Sequence, residues 1–361
     1  MKVGFLSIGR SSVDLREAKI ALFDGGHTCG PLLSVDEPSE IEWALSQLRT
    51  ICDAIVIDGD HDAFYATFKD RLSTHPENFE LDGKLYSVTS ECDAAYLAEK
   101  LVPMLNSKNK RSRYQVIVFK TFGKTEAELR AMLKDHIKTR SKIRIGFFPS
   151  FSECEVHARG PATMPQAEFN AALNEINQIL YKCTYSFDRI SIAERVAQML
   201  REQGLRLKVA ESFTGGALAQ AFTSIPGASE YFTEGLVTYS VESKTNRLGL
   251  SPNDLAKHGV VSNNTAYGMS VGLLESGDCD IAISTTGNAG PTAVFGAVGL
   301  CFISIGDRNE VHTMRYTFGG DRDENIARAV KNALFLLYSY LDSREARETA
   351  RSARETGERQ F

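Results

Sequence analysis

Apolar runs short enough for strands alternate along this chain with stretches whose apolar positions recur three and four apart. Over residues 1–140 the strand-like runs are "KVGFLSIG", "DAIVIDGD", "KLYSVTS" and "YQVIVFKTFG". The helical ones are "SSVDLREAKIALFDGG", "EIEWALSQLRTI", "DAFYATFKDRL", "DAAYLAEKLVPMLN" and "KTEAELRAMLKDHIK". This alternation predicts an α/β domain: a parallel or mixed sheet with helices on its faces. Residues 141–187 differ, with a strand pair in "KIRIGFFPSF" and "SECEVHARG" followed by one amphipathic helix, "MPQAEFNAALNEINQIL". They read as a small α+β connecting module. Residues 188–343 return to α/β alternation, from the helix "ISIAERVAQMLREQG" and the strand "RLKVAES" to the closing helix "DENIARAVKNALFLLYSYLDS". The remainder, 344–361, alternates in charge without an apolar stripe and reads as a charged tail, either a solvated helical extension or disordered.

The 361 residues are 43% apolar and 24% charged, the balance of a soluble globular protein of two or three domains. A formal charge of −5 argues against a chain-wide grip on nucleic acid, so no direct nucleic-acid binding is expected. No apolar run approaches the roughly 20 residues that span a bilayer, and the first residues read as a strand rather than a signal peptide. The seven cysteines include no C-x-x-C pair and the seven histidines are dispersed, so neither a disulfide framework nor a metal site is expected. Together these features predict a cytoplasmic protein without a metal or cofactor.

Three glycine-bearing turns carry the candidate chemistry. In "VAESFTGG" an apolar strand ends at Ala210 and a helix is expected near Thr214, with Gly215 and Gly216 in its first turn. Paired glycines there cost helix stability and need a reason, such as a ligand approaching unpaired backbone N–H groups. Ser212 would then stand at the carboxyl edge of the sheet, where open α/β sheets bind ligands. It is either a nucleophile or a plain helix cap. "STTGNAGP", residues 284–291, offers Thr285, Thr286 and Asn288 with backbone donors at Gly287 and Gly290; alone it reads sooner as a tight turn stopped by Pro291. In "FGGDRDE", Arg322 is either a phosphate clamp or a surface residue near a helix start. "TYSVESK" places Tyr239 at a strand end and Lys244 on a short helix. A lysine buried beside Ser212 would lose pKa and take the serine proton; the alternative is a solvated helix lysine. His258 is a second possible base, in what reads as a helix end.

From "VAESFTGGALAQAFTSIPGASEYFTEGLVTYSVESKTNRLGL" through "HGVVS", "STTGNAGP", "VGLCFIS" and "FGGDRDE", residues 188–343 resemble the C-terminal domain of the CinA family in motif order and spacing. The resemblance implies an amidohydrolase that deamidates nicotinamide mononucleotide to nicotinate mononucleotide and ammonia in pyridine nucleotide salvage. It implies Ser212, Lys244 and Tyr239 as catalytic residues. Phe213, Thr214, Gly215, Gly216, Thr286, Gly287, Asn288, Ala289, Gly290 and Arg322 follow as substrate-binding residues. It also implies a small-molecule nucleotide as partner and a homodimer or larger homo-oligomer. Three departures surround the expected substrate mouth: Phe213 replaces a cysteine, Asn288 replaces an isoleucine, and the loop "PTAVFGAVG" is shortened. The alternative function is a non-catalytic nucleotide-binding regulatory or scaffold protein of the competence/damage-inducible type.

Residues 1–140 resemble the family's molybdopterin-binding-like domain in layout only. "SIGRSSVDLRE" and "IDGDHDAFYATF" stand where that domain has its glycine-rich phosphate turn and paired aspartates. Asp58, Asp60 and Asp62 read either as a cation loop or as a solvated turn. The domain is read as degenerate, keeping the fold and an assembly role while losing the ADP-ribose pyrophosphatase activity ascribed to it.

Overall fold

The computed structural model of the chain describes residues 1–69, 71–72, 74–109, 113–139, 142–293 and 295–357. The expected boundary at 140 and 141, position 294 in the shortened loop and the tail residues 358–361 lie outside these. The chain divides into two units, Met1–Phe187 and Asp188–Phe361. Its three sheets and many helices make it a mixed α/β protein.

The first unit runs β1 (Lys2–Ile8), α1 (Leu15–Asp24), β2 (Thr28–Val35), α2 (Ile41–Ile51), β3 (Ala54–Gly59), α3 (His61–Thr67), β4 (Asn78–Leu81), β5 (Lys84–Thr89) and α4 (Val102–Asn109). It continues with β6 (Tyr114–Phe122), α5 (Glu126–Met132), α6 (Lys134–Thr139), β7 (Arg144–Ser150), β8 (Glu153–Pro161), α7 (Gln166–Leu180) and β9 (Thr184–Ser186). Strands β2-β1-β3-β5-β4 form one sheet, parallel except for β4. Leu6, Ile55, Ile57 and Tyr86 pack one of its cores with Leu45, Leu48 and Phe64. Strands β7-β8-β6-β9 form a second sheet, all antiparallel. The expected placement of "YQVIVFKTFG" with the first sheet is therefore corrected. β6 pairs with β8 from Tyr114↔Pro161 to Phe122↔Glu153, a register that alternating elements alone do not reveal. The helix expected over 62–72 stops at Thr67, because Phe68 leaves helical geometry (φ −110°, ψ 13°) to bury its ring against Phe64.

The second unit contains α8 (Ile192–Glu202), β10 (Leu207–Glu211), α9 (Ala217–Thr223), β11 (Phe232–Val237), α10 (Val241–Leu248), α11 (Pro252–His258) and α12 (Asn263–Glu275). β12 (Ile281–Gly287), β13 (Leu300–Gly306), β14 (Val311–Thr317) and α13 (Arg322–Gly357) complete it. Its sheet order is β11-β10-β12-β13-β14, with β11, β10 and β12 parallel and the last two strands antiparallel. β10 and β12 are buried nearly throughout, as central strands with apolar runs must be. Their carboxyl ends lie side by side, with Glu211 opposite Thr285, so the turns that follow them meet. Among the described residues no helix is long and apolar enough to cross a membrane.

Candidate active site

Ser212 is the first residue beyond β10, and its N–H donates to Thr285 O at 2.8 Å, tying the turn to β12. The helix expected to begin near Thr214 begins at Ala217 instead. Gly215 (φ +60°) and Gly216 (φ +106°) precede it in left-handed conformations, so they serve the backbone path rather than a ligand-facing first turn. Of that turn's own N–H groups Phe213 and Gly216 are engaged, and so are those at the start of α9. Phe213 donates to Thr285 O, and Gly216, Leu218 and Ala219 all donate to the Glu211 carboxylate at 2.8–3.0 Å. The expected anion site at this helix start is thus filled from within.

Lys244 reaches Ser212 from α10, whose start is capped by Ser240. Its side chain is 1% exposed, and Nζ lies 3.0 Å from Ser212 Oγ, 2.7 Å from Thr238 O and 3.2 Å from Tyr239 O. A charged ammonium donates to all three oxygens. A neutral amine donates to the two carbonyls and turns its lone pair to the serine hydroxyl. Burial lowers the Lys244 pKa from 10.5 to about 8, which brings the neutral form within reach of ordinary pH.

The pair opens on a cavity of about 150 Å³. Of the residues singled out in the sequence, Ser212, Phe213, Tyr239, Lys244, Thr286, Gly287, Ala289 and Arg322 line it. Thr214, Gly215, Gly216, Asn288 and Gly290 are not among the lining residues. Thr214 is buried and bonds Thr285 hydroxyl to hydroxyl at 2.7 Å. Asn288 turns its amide to Phe295 O and Ala297 O, holding the shortened loop. The Thr286 hydroxyl donates to Val260 O. Phe213 is only 2% exposed and lies edge-on to Phe318, so it is an inner wall rather than the rim expected. A Cβ on Gly287 would collide with Leu300 O and start 2.6 Å from the Phe213 ring, so backbone and ring together require glycine there. Arg322 donates to Gly290 O at 2.6 Å and to the Tyr239 hydroxyl at 3.4 Å. The tyrosine's carbonyl, not its hydroxyl, is what contacts Lys244. His258 lines a separate cavity beside α12 and takes no part in this one.

Residues 189–341 match the family model of the CinA C-terminal domain. The chain belongs to the CinA family. A CinA-like protein of a Geobacter species is 36% identical over 251 residues, covering 69% of this chain and 60% of that protein. A CinA-like protein of Thermotoga maritima is 35% identical over 257 residues, covering 68% and 62%. The chain thus spans about three fifths of the length of these relatives. The solved structure of a competence-damaged protein (CinA) superfamily protein from Klebsiella pneumoniae is 35% identical, covering 42% of this chain and 96% of that one at a TM-score of 0.41.

Two buried side chains of this CinA domain escaped the sequence reading. Glu211 is fully buried and accepts three N–H groups of the turn that follows it. An acidic residue directly before a glycine-rich helix start was the available signal, since anions are stabilised there. Asn325, also fully buried, sits in the first turn of α13 and donates to Ala289 O at 3.0 Å and Gly320 O at 3.1 Å. It joins two turns far apart in the chain, so no local pattern announces it. The apolar lining residues Val241, Val260 and Val261 were likewise unremarked.

In the first unit, Asp58, Asp60 and Asp62 do not form a cation loop. Asp58 accepts from the Ser12 and Ser7 side chains and from Ser12 N, while Asp60 caps α3. Among the described residues no group of His, Cys, Asp and Glu is arranged to hold a metal ion.

Proposed function

We propose that the CinA domain is an amidohydrolase that converts nicotinamide mononucleotide to nicotinate mononucleotide and ammonia. The observation that carries this reading is the buried Lys244 amine 3.0 Å from Ser212, poised near pKa 8 at the head of a cavity.

Neutral Lys244 takes the hydroxyl proton as Ser212 Oγ attacks the carboxamide carbon, forming a tetrahedral adduct. The resulting ammonium gives that proton to the nitrogen, the C–N bond breaks, and ammonia leaves an ester on Ser212. A water then loses its proton to Lys244 and attacks the ester. The serine recovers its hydrogen and the product departs as a carboxylate. The carbonyls of Thr238 and Tyr239 hold the amine in line through both steps.

A cavity of about 150 Å³ suits the pyridine carboxamide alone. The ribose and phosphate then lie outside, past Tyr239, which is 64% exposed, toward the exposed Arg322 guanidinium as the phosphate's cationic partner. In this reading the activity belongs to residues 188–343. The connecting module 141–187 and the domain 1–140 serve assembly, and Asp58, engaged with serines, fits a first domain without pyrophosphatase chemistry. Purified protein incubated with nicotinamide mononucleotide, nicotinamide riboside and free nicotinamide, with products separated by chromatography, tests the reading. The mononucleotide is expected to be the best substrate. A better reaction with the uncharged amides, or none with any, would overturn it.

A further inference from the structure

Apart from the Ser212–Lys244 site, the CinA domain holds a larger cavity of about 420 Å³, lined by α11, α12 and the turn that leaves α10. That volume suits a small organic molecule. Leu248, Leu250, Leu255 and Val271 give it apolar walls, buried or half-buried. Asp254, Glu275 and the Tyr267 ring also line it, and all three are exposed. Among the described residues neither carboxylate has a hydrogen-bond or ion-pair partner, and no lysine or arginine is part of the lining. The cavity therefore carries a negative potential that nothing in its own walls offsets. Ser251 and Thr265 are different, because the fold uses their hydroxyls: Ser251 caps α11 and Thr265 donates to Gly259 O at 2.6 Å. His258, one turn beyond Asp254 on the same face of α11, adds an imidazole to the wall.

A glycine supplies the second sign. Glycine weakens a helix interior, so each one in α12 needs a reason. At Gly272 the reason is packing, since a Cβ there would collide with Leu248 O. At Gly268 packing gives none. A Cβ would meet only the Leu250 side chain, at 3.4 Å, which is ordinary contact. Gly268 does line the cavity, where a side chain would take up space. Its absence keeps the cavity open at the expense of helix stability.

We propose that this cavity is a binding site for a small organic cation with an apolar body. The Asp254 and Glu275 carboxylates and the Tyr267 ring attract the charge, and Leu250 and Val271 take the hydrocarbon part. A phosphate-bearing nucleotide is repelled by the same carboxylates, so the occupant differs from the substrate proposed above. The two cavities nevertheless share elements. α10 supplies Lys244 to the catalytic one and Leu248 to this one, and the segment 258–261 supplies Val260 and Val261 to the first and His258 to the second.

The probe is phenethylammonium, with phenethyl alcohol and phenylacetate as its uncharged and anionic counterparts. Each is titrated into the whole chain while the amide signals of Tyr267 and Gly268 are followed by NMR. The ammonium should shift them with a Kd at least about tenfold below that of the alcohol, and phenylacetate should leave them unmoved. Asp254→Asn combined with Glu275→Gln should erase that preference, with the rest of the spectrum unchanged. Gly268→Ala should weaken the ammonium several-fold and raise the melting temperature, a combination that a purely structural glycine does not give. Equal affinity for the alcohol, or ammonium binding that survives the double substitution unchanged, overturns the proposal. So do Tyr267 and Gly268 signals that move on dilution and ignore the ammonium, because a second copy of the chain then covers the cavity. Turnover is no part of the readout, so this inference and the deamidase reading fail separately.

Discussion

Asp58 near the end of β3 and Glu211 at the end of β10 are both fully buried carboxylates that fold into the loop beside their strand. In the first unit Asp58 takes Ser12 N–H and the hydroxyls of Ser7 and Ser12, and Ser12 Oγ in turn accepts from Cys92 N. The Asp58 carboxylate and the Ser12 hydroxyl are thereby engaged within the fold. In the second unit Glu211 takes only backbone N–H groups and leaves Ser212 free to face a cavity with one side-chain partner, Lys244. The same device, an internal anion ordering a loop at the carboxyl edge of a sheet, closes one site and frames the other. What separates them is a hydroxyl left in open space beside a group that can change protonation.

The sharpest way to break this comparison is to remove the two serine hydroxyls in turn. Ser212→Ala is expected to lower ammonia release from nicotinamide mononucleotide at least about 10³-fold, while Ser12→Ala leaves it within about twofold. Equal effects would erase the distinction between the units. Removing the carboxylates comes next. Glu211→Ala orphans three N–H groups, and should cost about 2–4 kcal/mol of stability in urea titrations together with activity. Asp58→Ala should cost about 1–3 kcal/mol with turnover unchanged. If it abolishes turnover, the first unit is more than a scaffold. The smallest effect belongs to Phe213→Leu. It gives up the edge contact with Phe318, about 1 kcal/mol, and widens the inner wall. Ring-substituted nicotinamide nucleotides should then gain a few-fold in kcat/KM over the parent; an unchanged ratio would show that Phe213 does not gate the ring.

Much of this was legible because the signals are local. β10 read as an apolar strand ending at Ala210 and β12 as a buried one, and the turns after them were marked by glycines. What escaped depends on partners distant in the chain. β2 and β4 are edge strands, short or only half-buried, and carry weak patterns; β9 is three residues long. The sheet membership of β6 is decided by pairing with β8 across an intervening helical stretch. Within the site, the serine stands out by its turn context, whereas the lysine, by itself as readily a solvated helix residue, is singled out by the family resemblance. Asn325 and Glu211 do not stand out, because their function lies in which backbone groups they hold. Thr214 and Asn288 looked like ligand contacts for the converse reason, since sequence cannot say that their polar atoms turn to Thr285 and the loop carbonyls.

Lys244 ties the account to pH. Its pKa in the fold lies below its ordinary value, so the buried charge opposes folding in full below pH 8, and that penalty fades as pH rises from about 8 toward 10.5. In the proposed reaction the same shift governs the base. The most direct measurement is the pH dependence of kcat/KM for ammonia release from nicotinamide mononucleotide by wild type and by Lys244→Arg, which stays charged throughout. The wild-type value should climb about tenfold per unit below a midpoint near 8 and level off above it, with Lys244→Arg inactive at every pH. A profile flat through pH 8, or a Lys244→Arg variant that keeps the wild-type rate, would contradict the Ser212–Lys244 mechanism.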